Sequence, residues 1–199
     1  MYIPDHFNEA DTSKTLNLIR DHSFGTLITI RDTIPFASHI PFIVEGDQNI
    51  TLIGHLAKSN EQWKHFESDQ QVLVIFQGPH AYVSPTWYES PGVPTWNYTA
   101  VHLYGIPKLI TEGAKLIDAI EKLTHIHETK NKTSWKLEYP SNMLKAIVGF
   151  EIYVQKVESK FKLSQNRPKA DRDNVTYELL RSEIDRDKDL GKLMMKNQS

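Results

Sequence analysis

The segment from Gln77 to Tyr98 constrains this chain most. It runs Gln77-Gly78-Pro79-His80-Ala81-Tyr82-Val83-Ser84-Pro85-Thr86-Trp87-Tyr88 and resumes as Val93-Pro94-Thr95-Trp96-Asn97-Tyr98. Prolines stand at 79, 85, 91 and 94. Each fixes its own φ, removes a backbone donor and biases the residue before it away from the helical region. No long helix passes through such a stretch, so the chain takes an extended, bent path. Tyr82, Trp87, Tyr88, Trp96 and Tyr98 lie on that path. Rings with polar tips on a stiff loop can clasp a flat ligand, and the same rings can simply fill a core around a turn. Residue types alone leave both readings open.

The length, 199 residues, suffices for one domain with a full core and an appendage. A net charge of −2 gives no global attraction to nucleic acid or to a membrane surface. No apolar run reaches the length of a membrane-spanning helix, so no membrane partner is expected. The absence of cysteine excludes disulfides, thiolate metal sites and a cysteine nucleophile. The start, Met1-Tyr2-Ile3-Pro4-Asp5-His6-Phe7, has no basic region followed by an apolar stretch. That pattern sets the expectation of a cytoplasmic protein.

Periodicity predicts a helix over 13–22 capped by Asp11 or Thr12, and a turn ended by Gly25. Strands are expected over 26–30, 35–44, 49–54, 72–76, 81–84, 98–110 and 149–157. A helix over 59–66 is expected from the capping-box spacing of Ser59 and Gln62, with Trp63 and Phe66 on its buried side. Leu116, Ile117, Ile120 and Leu123 give a helix of roughly four turns. Beyond Pro168 the chain becomes charged, with Val175, Leu179, Leu180 and Ile184 on one helical stripe. The expected organisation is a β domain over 1–160 and a C-terminal motif with a helical appendage over 161–199. Many short strands and bend-forming prolines indicate a mainly β, antiparallel barrel with flanking helices.

Several small constellations could carry chemistry. His55-Leu56-Ala57-Lys58-Ser59-Asn60 joins a strand to a helix, where unpaired N–H groups, a lysine and a hydroxyl can seat a phosphate. The alternative is a serine capping its own helix beside a solvated lysine. In Lys162-Leu163-Ser164-Gln165-Asn166-Arg167-Pro168, Gln and Asn can read the edge of a heterocycle, or the segment is a hydrophilic linker. His125 and His127 are two apart on a helix and do not share a face, and no H-E-x-x-H occurs, so no metal is expected. A histidine-ligated haem stays open. No G-x-S-x-G elbow supports a serine nucleophile. Lys156, Lys160, Lys162, Arg167, Lys169 and Arg172 form the strongest positive stretch, diluted by Glu158, Asp171 and Asp173. That stretch is weak support for DNA contact.

Taken in order, these motifs resemble the PaiB family, FMN-binding negative transcriptional regulators related to split barrels of the flavin-reductase and pyridoxamine-phosphate-oxidase type. The resemblance rests on Met1-Tyr2-Ile3-Pro4 and Phe7, Ala37-Ser38-His39-Ile40-Pro41-Phe42, and Gly54-His55-Leu56-Ala57-Lys58-Ser59-Asn60 with Trp63. It continues through the proline-rich aromatic segment, His102, Gly105, Gly149-Phe150-Glu151-Ile152 and Lys162 to Pro168. It implies a six-stranded antiparallel Greek-key split barrel, a homodimer, and FMN in a cleft at the dimer interface. Carried over by position, Lys58 and Ser59 would meet the phosphate, with His55 nearby. His39, Ile40, Pro41 and Phe42 would run along the isoalloxazine. Trp96, Asn97 and Tyr98 would close the cleft or come from the neighbouring subunit, and Gln165 and Asn166 would reach the ring or ribityl chain. One departure stands out: family members often carry a Gly-Lys before the Val-Pro-Thr-Trp-Asn-Tyr run, whereas here Glu89-Ser90-Pro91-Gly92 leads directly into Val93.

The resemblance implies a negative transcriptional regulator of the sporulation or degradative-enzyme type, acting directly or indirectly. An FMN-dependent oxidoreductase using NAD(P)H is the first alternative. A haem-binding or haem-degrading protein, with His39 or His55 on the iron, is the second.

Overall fold

A computed structural model describes residues 1–68, 70–133 and 144–198. Seven strands are present among them: β1 (Phe24–Arg31), β2 (Ile34–Pro41), β3 (Ile43–Glu45), β4 (Thr51–Ala57), β5 (Val72–Val83), β6 (Thr95–Leu109) and β7 (Ile147–Lys162). Four helices accompany them: α1 (Thr12–Asp21), α2 (Gly113–Asn131), α3 (Lys169–Arg181) and α4 (Asp185–Gln198). The strands form one sheet in the order β2-β1-β5-β6-β7-β4-β3, and β1–β2, β1–β5, β3–β4 and β4–β7 are antiparallel pairs.

The described chain groups into two compact units, one of residues 1–15, 77–101 and 158–199, the other of 16–76 and 102–157. In the second unit, β2 and β3 occupy opposite edges of the sheet yet are separated in sequence by Phe42 alone. Successive Cα atoms lie about 3.8 Å apart. The two edges must therefore approach each other at Phe42, which bends the sheet round on itself without a ladder between β2 and β3. This corrects the expectation of six strands and of one strand over 35–44. Phe42 breaks the run: its N–H donates to the Ser23 carbonyl at 2.9 Å, outside either ladder, and its ring turns into the core.

Room for that ring comes from two glycines. A Cβ on Gly25 would lie 2.7 Å from Phe76 Cε1 and 3.2 Å from Phe42 Cδ2, and one on Gly54 would lie 3.0 Å from Phe150 Cζ and 3.3 Å from Phe42 Cδ1. Gly25 thus sits inside β1 for close packing; it does not end a turn. Phe42 meets Phe76 and Phe150 edge-on with centroids 5.6 and 6.2 Å apart, and Phe66 reaches Phe150 at 5.0 Å. These are favourable aromatic geometries. Leu27, Leu52, Leu56, Val74, Leu103 and Ile152 complete a fully buried core.

The segment expected to be a helix from Ser59 is a 3-10 helix over Glu61–Ser68. Gln62 does not complete a capping box. It is buried, and its Nε2 donates to Leu27 O, Thr29 Oγ1 and Phe36 O at 3.1–3.2 Å. A buried amide needs such partners, and these tie the helix to the β1–β2 hairpin. Asn60 takes the capping role, accepting from Gln62 N at 3.2 Å.

In the first unit, Asp11 caps α1 by accepting from Ser13 N and Lys14 N at 2.8 and 3.3 Å. Strand β5 passes through Pro79 without a break. Pro85 then opens a one-turn 3-10 helix capped by the Ser84 hydroxyl, in keeping with the preference of proline for a first helical position. The appendage is a pair of helices. Val175 and Leu179 of α3 and Leu190 and Met194 of α4 are buried, but the chain turns at Ser182 and leaves Ile184 exposed. Gly191 lets the helices approach, since a Cβ there would lie 3.0 Å from Leu180 Cγ. No helix among the described residues is long and apolar enough to cross a membrane.

Replacing Phe42 by Ala should lower unfolding stability by about 3–5 kcal/mol, read as a fall in the urea midpoint. Gly25→Ala should cost about 1–3 kcal/mol by overpacking against Phe76. A midpoint unchanged in both variants would show that the crossing between β2 and β3 does not depend on this packing.

Candidate functional site

The backbone of the turn after β4 is held by hydrogen bonds. Lys58 N donates to Ala146 O at 2.8 Å, Asn60 N to Ala57 O at 2.9 Å, and the Trp63 indole to Lys58 O at 3.0 Å. Asn60 Nδ2 donates to Ser38 Oγ at 2.9 Å, tying the turn to β2. Lys58 and Ser59 are exposed. Neither side chain bonds to a described residue. Glu61, the acid next along the chain, is paired with Lys64 instead. A cation and a hydroxyl held on a fixed turn, with no carboxylate paired to them among the described residues, are the donor set that a phosphate dianion requires.

Strand β2 carries His39, Ile40 and Pro41 up to the crossing. Register divides the hairpin into two faces. Leu27 and Thr29 are buried against Gln62, whereas the pairs Ile30–Pro35, Ile28–Ala37, Thr26–His39 and Phe24–Pro41 point the other way. The second face extends to β5 through Leu73 and Ile75. It is apolar apart from Thr26 and His39, which share a hydrogen bond at 2.9 Å. Phe24 and Ile30 on it are 67% and 58% exposed. The sheet is therefore apolar on both faces, a pattern that ordinarily accompanies cover on both. A flat ring finds an apolar wall here, with His39 at its centre, so the residues present fit both halves of FMN.

The other expected residues are placed as follows. His55 of β4 lines a slot of only about 10 Å³ together with Ile43, Ile53, Leu116, Ala119, Ile120 and Leu123. Burial there pushes its imidazole below the usual pKa. A porphyrin would need α2 to leave, since sites for ligands of that size are larger. Phe42 is core, as described above.

In the first unit, Trp96 is half exposed beside His80 and Tyr82, with ring centroids 6.4 and 6.2 Å away. Asn97 is buried: its Nδ2 donates to Ser164 Oγ at 2.8 Å, and its Oδ1 has no partner among the described residues. Tyr98 lies under the Lys160 ammonium at 5.2 Å. Both ends of the Gln165 amide close the local turn, accepting from Leu163 N and donating to Phe161 O. Asn166 is exposed.

The positive stretch is largely engaged within its own unit. Lys160 donates to Tyr2 O, Lys162 to Thr95 Oγ1 and Trp96 O, and Arg167 to Pro91 O while stacking on Tyr88 at 4.4 Å. Lys169 pairs with Asp173, and Arg172 Nε is buried. Desolvation, with Lys160 nearby, lowers the pKa of the Lys162 ammonium. Lys156 does lie at the surface, over the Tyr104 ring.

Sequence reasoning missed Asp171. It is buried and accepts from Glu89 N, Ser90 N and Ser90 Oγ, fixing the loop that lacks the family lysine. The Ser90 hydroxyl, followed by the two amides, holds this carboxyl below its ordinary range. The signal was only an acid in a charged run, which reads as a solvated surface. Ser38 and Asn60, which join turn to strand, lay inside quoted motifs without a role.

Residues 1–156 match the family described as "Putative FMN-binding domain". The "Protease synthase and sporulation protein PAI 2" of Bacillus subtilis (strain 168) is 38% identical over 200 residues, covering 98% of this chain and 96% of that protein. An uncharacterized protein of Emericella nidulans is 32% identical over 222 residues, 88% of each chain. Among solved structures, a flavocytochrome from Azotobacter vinelandii superposes with a TM-score of 0.63 at 15% identity, over 80% of this chain and 72% of that one. An FAD and heme binding protein from Mycobacterium smegmatis gives 0.62 at 16% identity, over 78% and 73%. At such identities the two structures speak for the fold alone. The sequence agreement goes further, since the family match spans residues 1–156, and the chain belongs to the PaiB family of FMN-binding proteins.

Proposed function

We propose that this chain binds FMN as a homodimer and acts as a negative transcriptional regulator by an indirect route. The observation that carries the FMN reading is the Lys58–Ser59 turn: a fixed backbone presenting a cation and a hydroxyl, bound through Asn60 to the strand that bears His39. In this reading Lys58 and Ser59 hold the phosphate, and the outer wall of β2, β1 and β5 takes the ring. FMN, when bound, supplies redox chemistry, and the groups around its ring tune it.

The dimer reading rests on the same wall. A second copy covering it would remove Phe24, Ile28, Ile30 and Ala37 from water, with a gain of roughly 25 cal/mol per Å² of apolar surface. The regulatory role rests on membership of the family and on likeness to the Bacillus subtilis sporulation protein. The indirect route is supported by the cations of the 160–172 stretch, which bond inside their unit rather than along one face for phosphates. That engagement also favours a second reading, an FMN-dependent oxidoreductase using NAD(P)H, in which flavin chemistry is the activity itself.

Titration of FMN followed by flavin fluorescence should show quenching with the wild type and a Kd raised about 10- to 100-fold by Lys58→Ala. Equal affinity in the variant would remove Lys58 from the site. Sedimentation should show a dimer that Ala37→Glu converts to a monomer, and a variant that stays dimeric would move the contact elsewhere. A deletion strain should show raised transcripts for degradative enzymes that the wild-type chain represses again and Lys58→Ala does not. Unchanged transcripts would leave the oxidoreductase reading in its place.

A further inference from the structure

His80 and Tyr82 are two apart on β5 and so share a face, and Trp96 stands against both from β6, the next strand in the sheet. The Trp96 ring meets Tyr82 at 75° and His80 at 36°, and Trp96 and Tyr82 remain 50% and 45% exposed. Large rings left half open on the surface of one unit form a stacking surface rather than core.

Trp96 and His80 are held from behind. Lys162 donates to both Thr95 Oγ1 and Trp96 O, fixing the backbone that carries the indole. His80 Nδ1 lies 3.2 Å from the Gly78 carbonyl. Gln77 Nε2 lies farther from the same nitrogen, at 3.5 Å; in the tautomer that donates Nδ1–H to the nearer carbonyl, Nε2 is an acceptor. Arg186 of α4 approaches that Nε2 at 3.4 Å. This bond is long, and the guanidinium is otherwise exposed. It can turn to a stronger, anionic acceptor without loss of a core contact.

We propose that His80, Tyr82, Trp96 and Arg186 form a subsite for a nucleotide other than FMN, with the base stacked on Trp96 and its phosphate on Arg186. Base–aromatic stacking tolerates any base, and the guanidinium adds a bidentate grip on phosphate. The subsite is built within one unit and does not depend on the Lys58 turn, so it stands or falls separately from the FMN reading.

Isothermal titration of the full chain with adenosine 5′-monophosphate tests it, in the absence and presence of saturating FMN. The wild type should bind in both conditions. Trp96→Leu should weaken binding about tenfold or more. Arg186→Gln should weaken binding of the monophosphate but leave that of adenosine unchanged, a difference that a folding defect would not produce. The proposal fails if the wild type shows no heat at millimolar nucleotide, if both variants bind as the wild type does, or if FMN abolishes the binding. It also fails if Trp96→Leu turns a dimer into a monomer with nucleotide affinity intact, because the rings would then be a contact between copies. Loss of FMN binding in Lys58→Ala with nucleotide binding retained would confirm that the two readings are independent.

Discussion

The ring of Phe42, seated between Gly25 and Gly54, is the contact on which the rest of the second unit depends. Two strands that lie at opposite edges of the sheet meet at this one residue. A side chain at either glycine would collide with Phe76 or Phe150 as well as crowd Phe42. Packed interiors tolerate little such intrusion. The aromatic cluster thus converts a run that reads as a single strand into two, and it delivers β2 as an edge with its outer face open.

The consequences for function follow from that geometry. Once β2 ends at Pro41, Ser38 stands where Asn60 can reach it, and the Lys58–Asn60 turn is anchored to the strand that carries His39. The proposed phosphate site and the apolar wall then belong to one framework. Binding groups held by packing and hydrogen bonds lose little freedom when a ligand arrives. The exposed outer wall suits both a planar ring and a second copy of the chain, and these two occupants are compatible because a cofactor at a seam is covered by both.

Much of this was legible in the sequence. The alternation in β1, the helix cap at Asp11 and the helical spacing from Leu116 are local signals, and they place their elements within a few residues. Family resemblance singled out the segment at Lys58 because its motif is contiguous. What escaped was set by distant packing. Near Phe42 the one local signal of a break is Pro41, a residue suited to a strand end or edge; the inward turn of the ring follows from the space that Gly25 and Gly54 leave for it. Gln62 has capping-box spacing from Ser59, yet the carbonyls of Leu27 and Phe36 offer it better partners. Asp171 and the cations before it, Lys160, Lys162 and Arg167, look solvated in sequence, and only tertiary structure shows them holding loops. Gln165 has the right chemistry to read a heterocycle, yet each end of its amide bonds within a local turn, and Asn97 is buried against Ser164; neither engagement is visible in the sequence.

The central claim is that this fold holds FMN where two copies meet. A native mass spectrum of the wild-type chain mixed with excess FMN tests it most directly. The account predicts a dimer carrying two flavins, one for each chain. A monomer that binds flavin, or a dimer that binds none, would contradict it.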